Sequence, residues 1–362
     1  MLLSPSPQTS TTLSAEPSLL SKLCDCRDRT LQLVANITPH VLRKQSHAAF
    51  SPVGWHLGHI AYTEALWILK EEREDYKVLF SADGLPKAER QNLPALNELL
   101  DYLASVRERS AARFEQYSPR LLYWLLQHEG QHAETMAMVM AMHEPDSLGV
   151  LRQLPSVGGD ISMVRVEGGF FWQGEESERA IDNEKPPYRA SVEAFCIDRY
   201  PVTCGAFAQF IEAGGYRRRE WWSAAGWRWL KAARVSAPLY WSGEAAFADR
   251  PVCGVSAHEA AAFARSRGKR LPTESEWERA AESGLCEDLF GSVWEWTATA
   301  FEGYEGFKPF PYAGYSQAYF DGEHRVLKGG SWASPQEIIR KSFRNWYHPH
   351  RRELFAGFRC VR

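Results

Sequence analysis

The densest chemistry in the chain is five consecutive residues, His128-Glu129-Gly130-Gln131-His132. On a helix, positions i and i+4 lie on one face about 6 Å apart along the axis, so the two imidazoles are spaced to chelate a single ion. A third ligand must come from another segment. Trp55-His56-Leu57-Gly58-His59 offers two, and either can point into a helix bundle. Such a pair is otherwise a surface or capping pair. Here Leu121, Leu122, Trp124, Leu125, Met136, Met138 and Val139 surround it and make the segment a core helix. Buried neutral imidazoles need partners, and a shared metal supplies them. The same letters match the zinc-protease pattern H-E-x-x-H, with Glu129 as general base. Gly130, a poor residue for mid-helix, and a third ligand upstream on another helix count against a peptidase. Three neutral imidazoles leave coordination positions open for substrate and for dioxygen or water, which describes a catalytic site; ligand type alone does not separate iron(II) from zinc.

The elements that must hold these side chains read as helices through the first 144 residues. Apolar spacing of three and four predicts helices over 19–42, 51–72, 95–117 and 118–143, the second and fourth opened by Ser51-Pro52 and Ser118-Pro119. Short connections imply an up-and-down four-helix bundle. The longer link over 77–93, with Gly84-Leu85-Pro86, is long enough to be a functional loop. After Glu144-Pro145-Asp146 the texture changes to short strands, long loops such as 304–319, and two expected helices, 204–213 and 256–267. Tryptophan marks the change: of 14, only Trp55, Trp67 and Trp124 precede residue 160.

The chain has 362 residues with 42 basic and 45 acidic side chains, a formal net charge of −3. That balance argues against nucleic-acid and polybasic membrane binding. The length implies two domains. We expect an α+β protein with a tail over 1–16 that is disordered, a helix bundle over 17–150 and a second domain over 151–362. No apolar run is long enough to span a membrane, the N-terminus lacks the features of a secretory signal, and seven Cys form no CxxC pairs. A cytoplasmic location follows as an expectation.

Two motifs of the first half, SPVGWHLGHI over 51–60 and HEGQHAETM over 128–136, resemble the DinB-like domain of the ergothioneine-pathway sulfoxide synthases, the hercynine oxygenases. Downstream, GGFF (168–171), DNEKP (182–186), PVT (201–203), LPTESEWE (271–278), VWEWT (293–297), GGSW (329–332) and FRNW (343–346) are similar to the formylglycine-generating-enzyme-like domain fused to it, a C-type-lectin-like fold. Each motif alone is weak; their order behind the histidine set is specific. The resemblance implies a nonheme iron(II) enzyme that uses dioxygen to join a thiol donor to C2 of the hercynine imidazole as a sulfoxide.

Carried over position by position, the resemblance makes His59, His128 and His132 the iron ligands and leaves His56 structural or supporting. Gln131 matches a residue that hydrogen-bonds the substrate imidazole. Asn345 and Trp346 match residues around the carboxylate and trimethylammonium end, where an aromatic face is the natural partner of a quaternary ammonium. Tyr312 matches the catalytic proton-donating tyrosine, with Tyr315 as the competing assignment. Departures fall at the sulfur donor: Lys87 and Arg90 stand for an R-x-x-R pair, Tyr347 stands where relatives carry an acid, and Arg351 persists. Lysine for arginine is not neutral where a carboxylate is clamped. The donor is therefore open among cysteine, γ-glutamylcysteine and a selenium donor, as in selenoneine synthases.

Three other functions fit the residues less well. A formylglycine-generating oxidase needs a close Cys pair near the last motif, and only Cys360 is there. A DinB-type thiol S-transferase leaves the C-terminal half unexplained. A non-catalytic lectin-like binder leaves the histidine set and Tyr312 unexplained. Oligomeric state is not legible in the sequence.

Overall fold

Ser18 accepts a hydrogen bond from the Ser21 amide and opens helix α1 (Leu19–Val34), whose inner face carries Leu23, Cys26, Arg27, Thr30 and Val34. The computed structural model describes residues 17–143, 147–157 and 162–362, so the tail expected at 1–16 lies outside the described residues. The single helix expected over 19–42 is in fact two. Thr38 caps a new turn, α2 (Pro39–Arg43), with Pro39 where a missing N–H costs nothing. Helix α3 (Val53–Glu64) is buried along its whole length and passes through a π turn (Ala65–Leu69) that ends at Lys70 in the left-handed region. Its N-cap is Pro52 rather than Ser51.

The 77–93 link is more ordered than a loop. It begins within α4 (Glu74–Phe80) and includes a 3-10 turn at Lys87–Glu89. A Cβ on Gly58 would lie 2.1 Å from the Phe80 ring, so glycine there lets α4 seat against α3. Helices α5 (Leu96–Ala111) and α6 (Pro119–His143) complete the bundle, with α3 packed on both and α1 packed on α6; α7 (Ser147–Gln153) follows.

In the second half, β1 (Met163–Val166), β2 (Gly169–Gln173), β3 (Tyr188–Val192) and β4 (Phe195–Asp198) form two antiparallel pairs, β1 with β4 and β2 with β3. Four helices follow: α8 (Cys204–Glu212), α9 (Ala224–Ala233), α10 (Ala257–Ser266) and α11 (Glu274–Ser283). Of these, α9 and α11 go beyond the two expected. Both have clear start signals: Ser223 caps α9, and Thr273 with Glu276 forms a reciprocal capping box on α11. Strands β5 (Trp294–Ala300), β6 (Arg325–Lys328), β7 (Asn345–Tyr347) and β8 (Ala356–Gly357) make a sheet in the order β7-β6-β5-β8. The fold is α+β, a helical region followed by an irregular sheet region. Trp277, Trp294 and Trp296 are fully buried, and each indole N–H has an acceptor: Glu295, Glu134 and the Val255 carbonyl.

The two halves meet along α6. Gln127 receives Arg340 Nη2 at 2.7 Å and donates to the Arg179 carbonyl at 2.8 Å. A Cβ on Gly130 would lie 2.4 Å from Cγ of Pro335, so this mid-helix glycine is a notch that admits the second half. Glu134 is fully buried and accepts from Trp294 Nε1 (2.9 Å), Ser334 Oγ (2.7 Å) and Ser331 Oγ. Burial pushes its carboxyl above the usual range, against the pull of those three donors. Gln127, Gly130 and Glu134 fall on one stripe of the helix at three- and four-residue spacing.

Candidate metal and substrate site

On another stripe of α6, His128 and His132 meet His59 of α3. Nε2 of His128 lies 3.2 Å from Nε2 of both His59 and His132, and the three ligand atoms all fall within 4.8 Å of one another. His59 and His128 are buried and His132 is half-buried, and desolvation holds each basicity down: His59 to about 4, His128 and His132 well below the usual value, with mutual repulsion adding at the latter two. Three converging neutral nitrogen lone pairs fit a divalent transition ion, since protonated rings there would have no acceptor. Nδ1 of His59 sits 2.6 Å from the Phe80 carbonyl, which fixes its N–H on that side and leaves Nε2 as the ligand atom. Trp55 stacks on His59 at 4.6 Å, and the Arg90 guanidinium covers the outer face of that indole at 4.1 Å.

Glu129 faces away from this centre. Arg27 binds it through Nε (2.7 Å) and Nη2 (3.1 Å), Arg107 binds it at 2.9 Å, and both arginines also pair with Glu64. Burial alone would raise the Glu129 pKa, but the two arginines more than offset it and hold the carboxylate ionised. A carboxylate locked into two guanidiniums is not a general base, so the H-E-x-x-H reading fails on geometry.

A cavity of about 460 Å³ opens over the three histidines, and every residue to which the resemblance gave a role lines it: Lys87, Arg90, Gln131, Tyr312, Asn345, Trp346, Tyr347 and Arg351 join His59, His128 and His132. Gln131 points into the seam, where its Oε1 accepts from Tyr315 at 2.6 Å. Asn345 Oδ1 accepts from the Trp346 amide at 2.9 Å, which leaves the side-chain NH2 uncommitted. Trp346 stacks on Phe301 at 4.5 Å and meets Tyr315 and Tyr319 edge-on or tilted, a partial aromatic box. Arg344, its neighbour, is sequestered: it binds Glu274 and the carbonyls of Asn183 and Glu302. Tyr312 is 38% exposed, stacks on Trp67 at 5.9 Å, and its hydroxyl has no hydrogen bond among the described residues.

The cationic positions differ from one another. Arg90 donates to the carbonyls of Leu85 (2.7 Å) and Ala82 (2.8 Å) and to Ser51 Oγ (3.0 Å), so it braces the loop as well as lining the cavity. Lys87 donates to the Ala49 carbonyl at 2.7 Å, and burial lowers its pKa. The Arg351 guanidinium has no acidic or hydrogen-bond partner among the described residues. Tyr347 packs against Thr135, and burial pushes its phenol far above the ordinary value.

Residues missed in the sequence also line the cavity, namely Tyr319, His324 and His348. Asp321, His324 and His348 lie close enough to hold an ion, though Asp321 already accepts from His324 Nδ1 and from the amides of Glu323 and His324. The one sequence signal for this wall is the His348-Pro349-His350 run.

Known proteins agree with this architecture. The DinB superfamily model matches residues 23–136, and the sulfatase-modifying factor enzyme 1-like domain model matches 157–288 and 282–362. A hercynine oxygenase of Mycolicibacterium thermoresistibile is 33% identical over 95% of this chain and 94% of its own. The chain belongs to the hercynine oxygenase family. A further member, the hercynine oxygenase of Mycobacterium tuberculosis, is 34% identical over 96% of this chain and 99% of its own. A part of the chain is also similar to an inactive C-alpha-formylglycine-generating enzyme 2 of Bos taurus, 27% identical over 56% of this chain and 89% of that protein. As a hercynine oxygenase family member the chain is an enzyme. No helix among the described residues is long and apolar enough to cross a membrane, and all seven Cys are free thiols.

Proposed function

We propose that the protein is an iron(II)- and dioxygen-dependent sulfoxide synthase that joins a thiol donor to C2 of the hercynine imidazole in ergothioneine biosynthesis. The observation that carries this reading is the convergence of the three Nε2 atoms at the floor of a cavity whose walls hold an uncommitted amide, an aromatic box and an unpaired guanidinium. The assignment of roles to individual residues, the division near residue 150 and a cytoplasmic location are parts of the same proposal, the last supported by the free thiols.

His59, His128 and His132 would hold the iron, which when bound supplies the dioxygen chemistry and lowers the pKa of a coordinated thiol from about 8.5. The chain's own groups do the rest. Gln131, oriented by Tyr315, presents its NH2 to the hercynine imidazole. Asn345 and Trp346 receive the other end, Asn345 by donating to carboxylate and Trp346 by offering a ring face to the trimethylammonium, each such face contributing about 0.5–2 kcal/mol. Tyr312 holds its proton at the phenol oxygen, where burial raises its pKa to about 12, and delivers it during sulfoxide formation. Arg351 supports binding of a donor carboxylate. Because Arg90 braces its loop and Lys87 is held by Ala49, one free cation among the described residues, Arg351, faces the donor, which favours cysteine over the dicarboxylate γ-glutamylcysteine.

The test is dioxygen uptake by the iron(II) protein with hercynine and a panel of cysteine, γ-glutamylcysteine and a selenosugar. Uptake that requires hercynine, with cysteine preferred, is expected. Uptake indifferent to hercynine for every donor overturns the substrate, selenosugar preference reassigns the donor, and zinc-dependent thiol transfer without dioxygen replaces the reading with an S-transferase.

A further inference from the structure

One imidazole beside the three ligands has no role in the reaction above. His56 lies three residues before His59 on α3, is 5% exposed, and places its Nδ1 2.8 Å from Nδ1 of His132. Two imidazole nitrogens at that distance share one proton, so one donates and the other accepts. Nε2 of His132 converges with the other two ligand atoms. A ring that gives its Nε2 lone pair to a cation carries its proton on Nδ1. His132 is therefore the donor and His56 the acceptor, which puts the His56 proton on Nε2. That atom is buried with no partner in hydrogen-bonding geometry, and the polar group beside the ring is the Ser51 backbone.

We propose that His56 is a positioning residue, a neutral acceptor that holds His132 in its Nδ1–H tautomer and fixes the plane of its ring. The Phe80 carbonyl does the same for His59. Among the described residues His56 is the one hydrogen-bond partner of His132 Nδ1, and the carbonyls of its own helix are engaged internally. An imidazole supplies the acceptor without adding a buried negative charge, so the centre keeps the full divalent charge that a neutral ligand set leaves to it. The arrangement is itself braced: Ser51 Oγ receives Arg90, and Arg90 covers Trp55. The inference rests on reading the three histidines as a metal site.

The experiment is an anaerobic titration with cobalt(II) alone, read by its visible absorption and by zinc competition, on the wild-type chain, His56→Leu and His56→Gln. His56→Leu should weaken cobalt binding by about 10- to 100-fold and shift its absorption. His56→Gln, whose Oε1 can accept the same proton, should recover affinity to within about threefold. A folded His56→Leu protein with wild-type affinity and spectrum overturns the proposal. Should His56→Leu not fold, ¹⁵N NMR of the zinc-loaded wild-type chain decides: a hydrogen-bonded proton on Nδ1 of His132 supports it, and its absence overturns it. A wild-type chain that takes up no cobalt removes the metal reading itself, a failure distinct from a silent His56→Leu.

Discussion

The Tyr315 phenol donates to Oε1 of Gln131 at 2.6 Å, a bond that crosses from the sheet region to the helix that carries His128 and His132. It turns the Gln131 NH2 toward the cavity. Losing one such bond is worth about 1–1.5 kcal/mol, so Tyr315→Phe should raise the hercynine KM about tenfold with kcat nearly unchanged. Tyr312→Phe should do the opposite, leaving KM and lowering sulfoxide yield. Steady-state kinetics with product analysis on both variants checks this; the reverse pattern exchanges the two roles.

Glu129→Gln should cost about 3–5 kcal/mol of stability, because it leaves Arg27 and Arg107 with a single buried carboxylate, Glu64. Metal affinity should stay within about threefold, since the carboxylate points away from the ligands. Thermal unfolding and cobalt titration are the measurements. Full stability with lost metal would return Glu129 to the site.

Helix propensity alone makes Gly130→Ala stabilising by about 1 kcal/mol. The 2.4 Å approach to Pro335 reverses the sign. We expect destabilisation of about 1–3 kcal/mol, relieved when Pro335→Ala is added. A double-mutant cycle by chemical denaturation checks it, and additive effects would deny the contact.

Arg351→Ala should raise the donor KM by about tenfold or more at unchanged melting temperature, because the guanidinium has no partner among the described residues to lose. Arg90→Ala should instead lower the melting temperature, since it releases Leu85, Ala82 and Ser51. Equal thermal losses in both would contradict this division.

Asp182 tethers the loop that carries Tyr312 and Tyr315, accepting from Ser316 Oγ at 2.5 Å and from the Phe310 amide at 3.2 Å. Burial raises its pKa from 3.8 to about 6, partly opposed by those donors. The folded state thus keeps a proton that the unfolded chain has released. Its contribution is full below pH about 4 and is lost as pH rises through about 6. Asp182→Asn should remove that slope, giving a variant more stable than wild type by about 2–3 kcal/mol at pH 7 and by well under about 1 kcal/mol at pH 4. Denaturation midpoints at both pH values are the check.

The i, i+4 histidines, the aromatic imbalance and the Ser-Pro start at residue 118 were legible because each is a local pattern. The break in the first helix was legible too, in Thr38-Pro39, but the apolar spacing runs across it and hides it. What sequence could not supply was direction at long range. Glu129 looked like a base because Arg27, 102 residues away, is invisible from its neighbourhood. Gly130 looked like a defect because Pro335 lies in the other half. Arg90 looked like a free clamp because its acceptors are loop carbonyls, which carry no sequence signature. His56 stood one turn from a ligand, and only the fold reveals which imidazole it meets.

The stripe of α6 that docks the second half, Gln127, Gly130 and Glu134, lies roughly 150° around the helix axis from the stripe that carries His128 and His132. A rigid helix cannot rotate one face without the other. Docking and the aim of the histidines are therefore two readouts of a single degree of freedom, and a cut at the compositional border near residue 150 should disturb both. A bundle expressed alone would keep its histidines and lose the register that aims them.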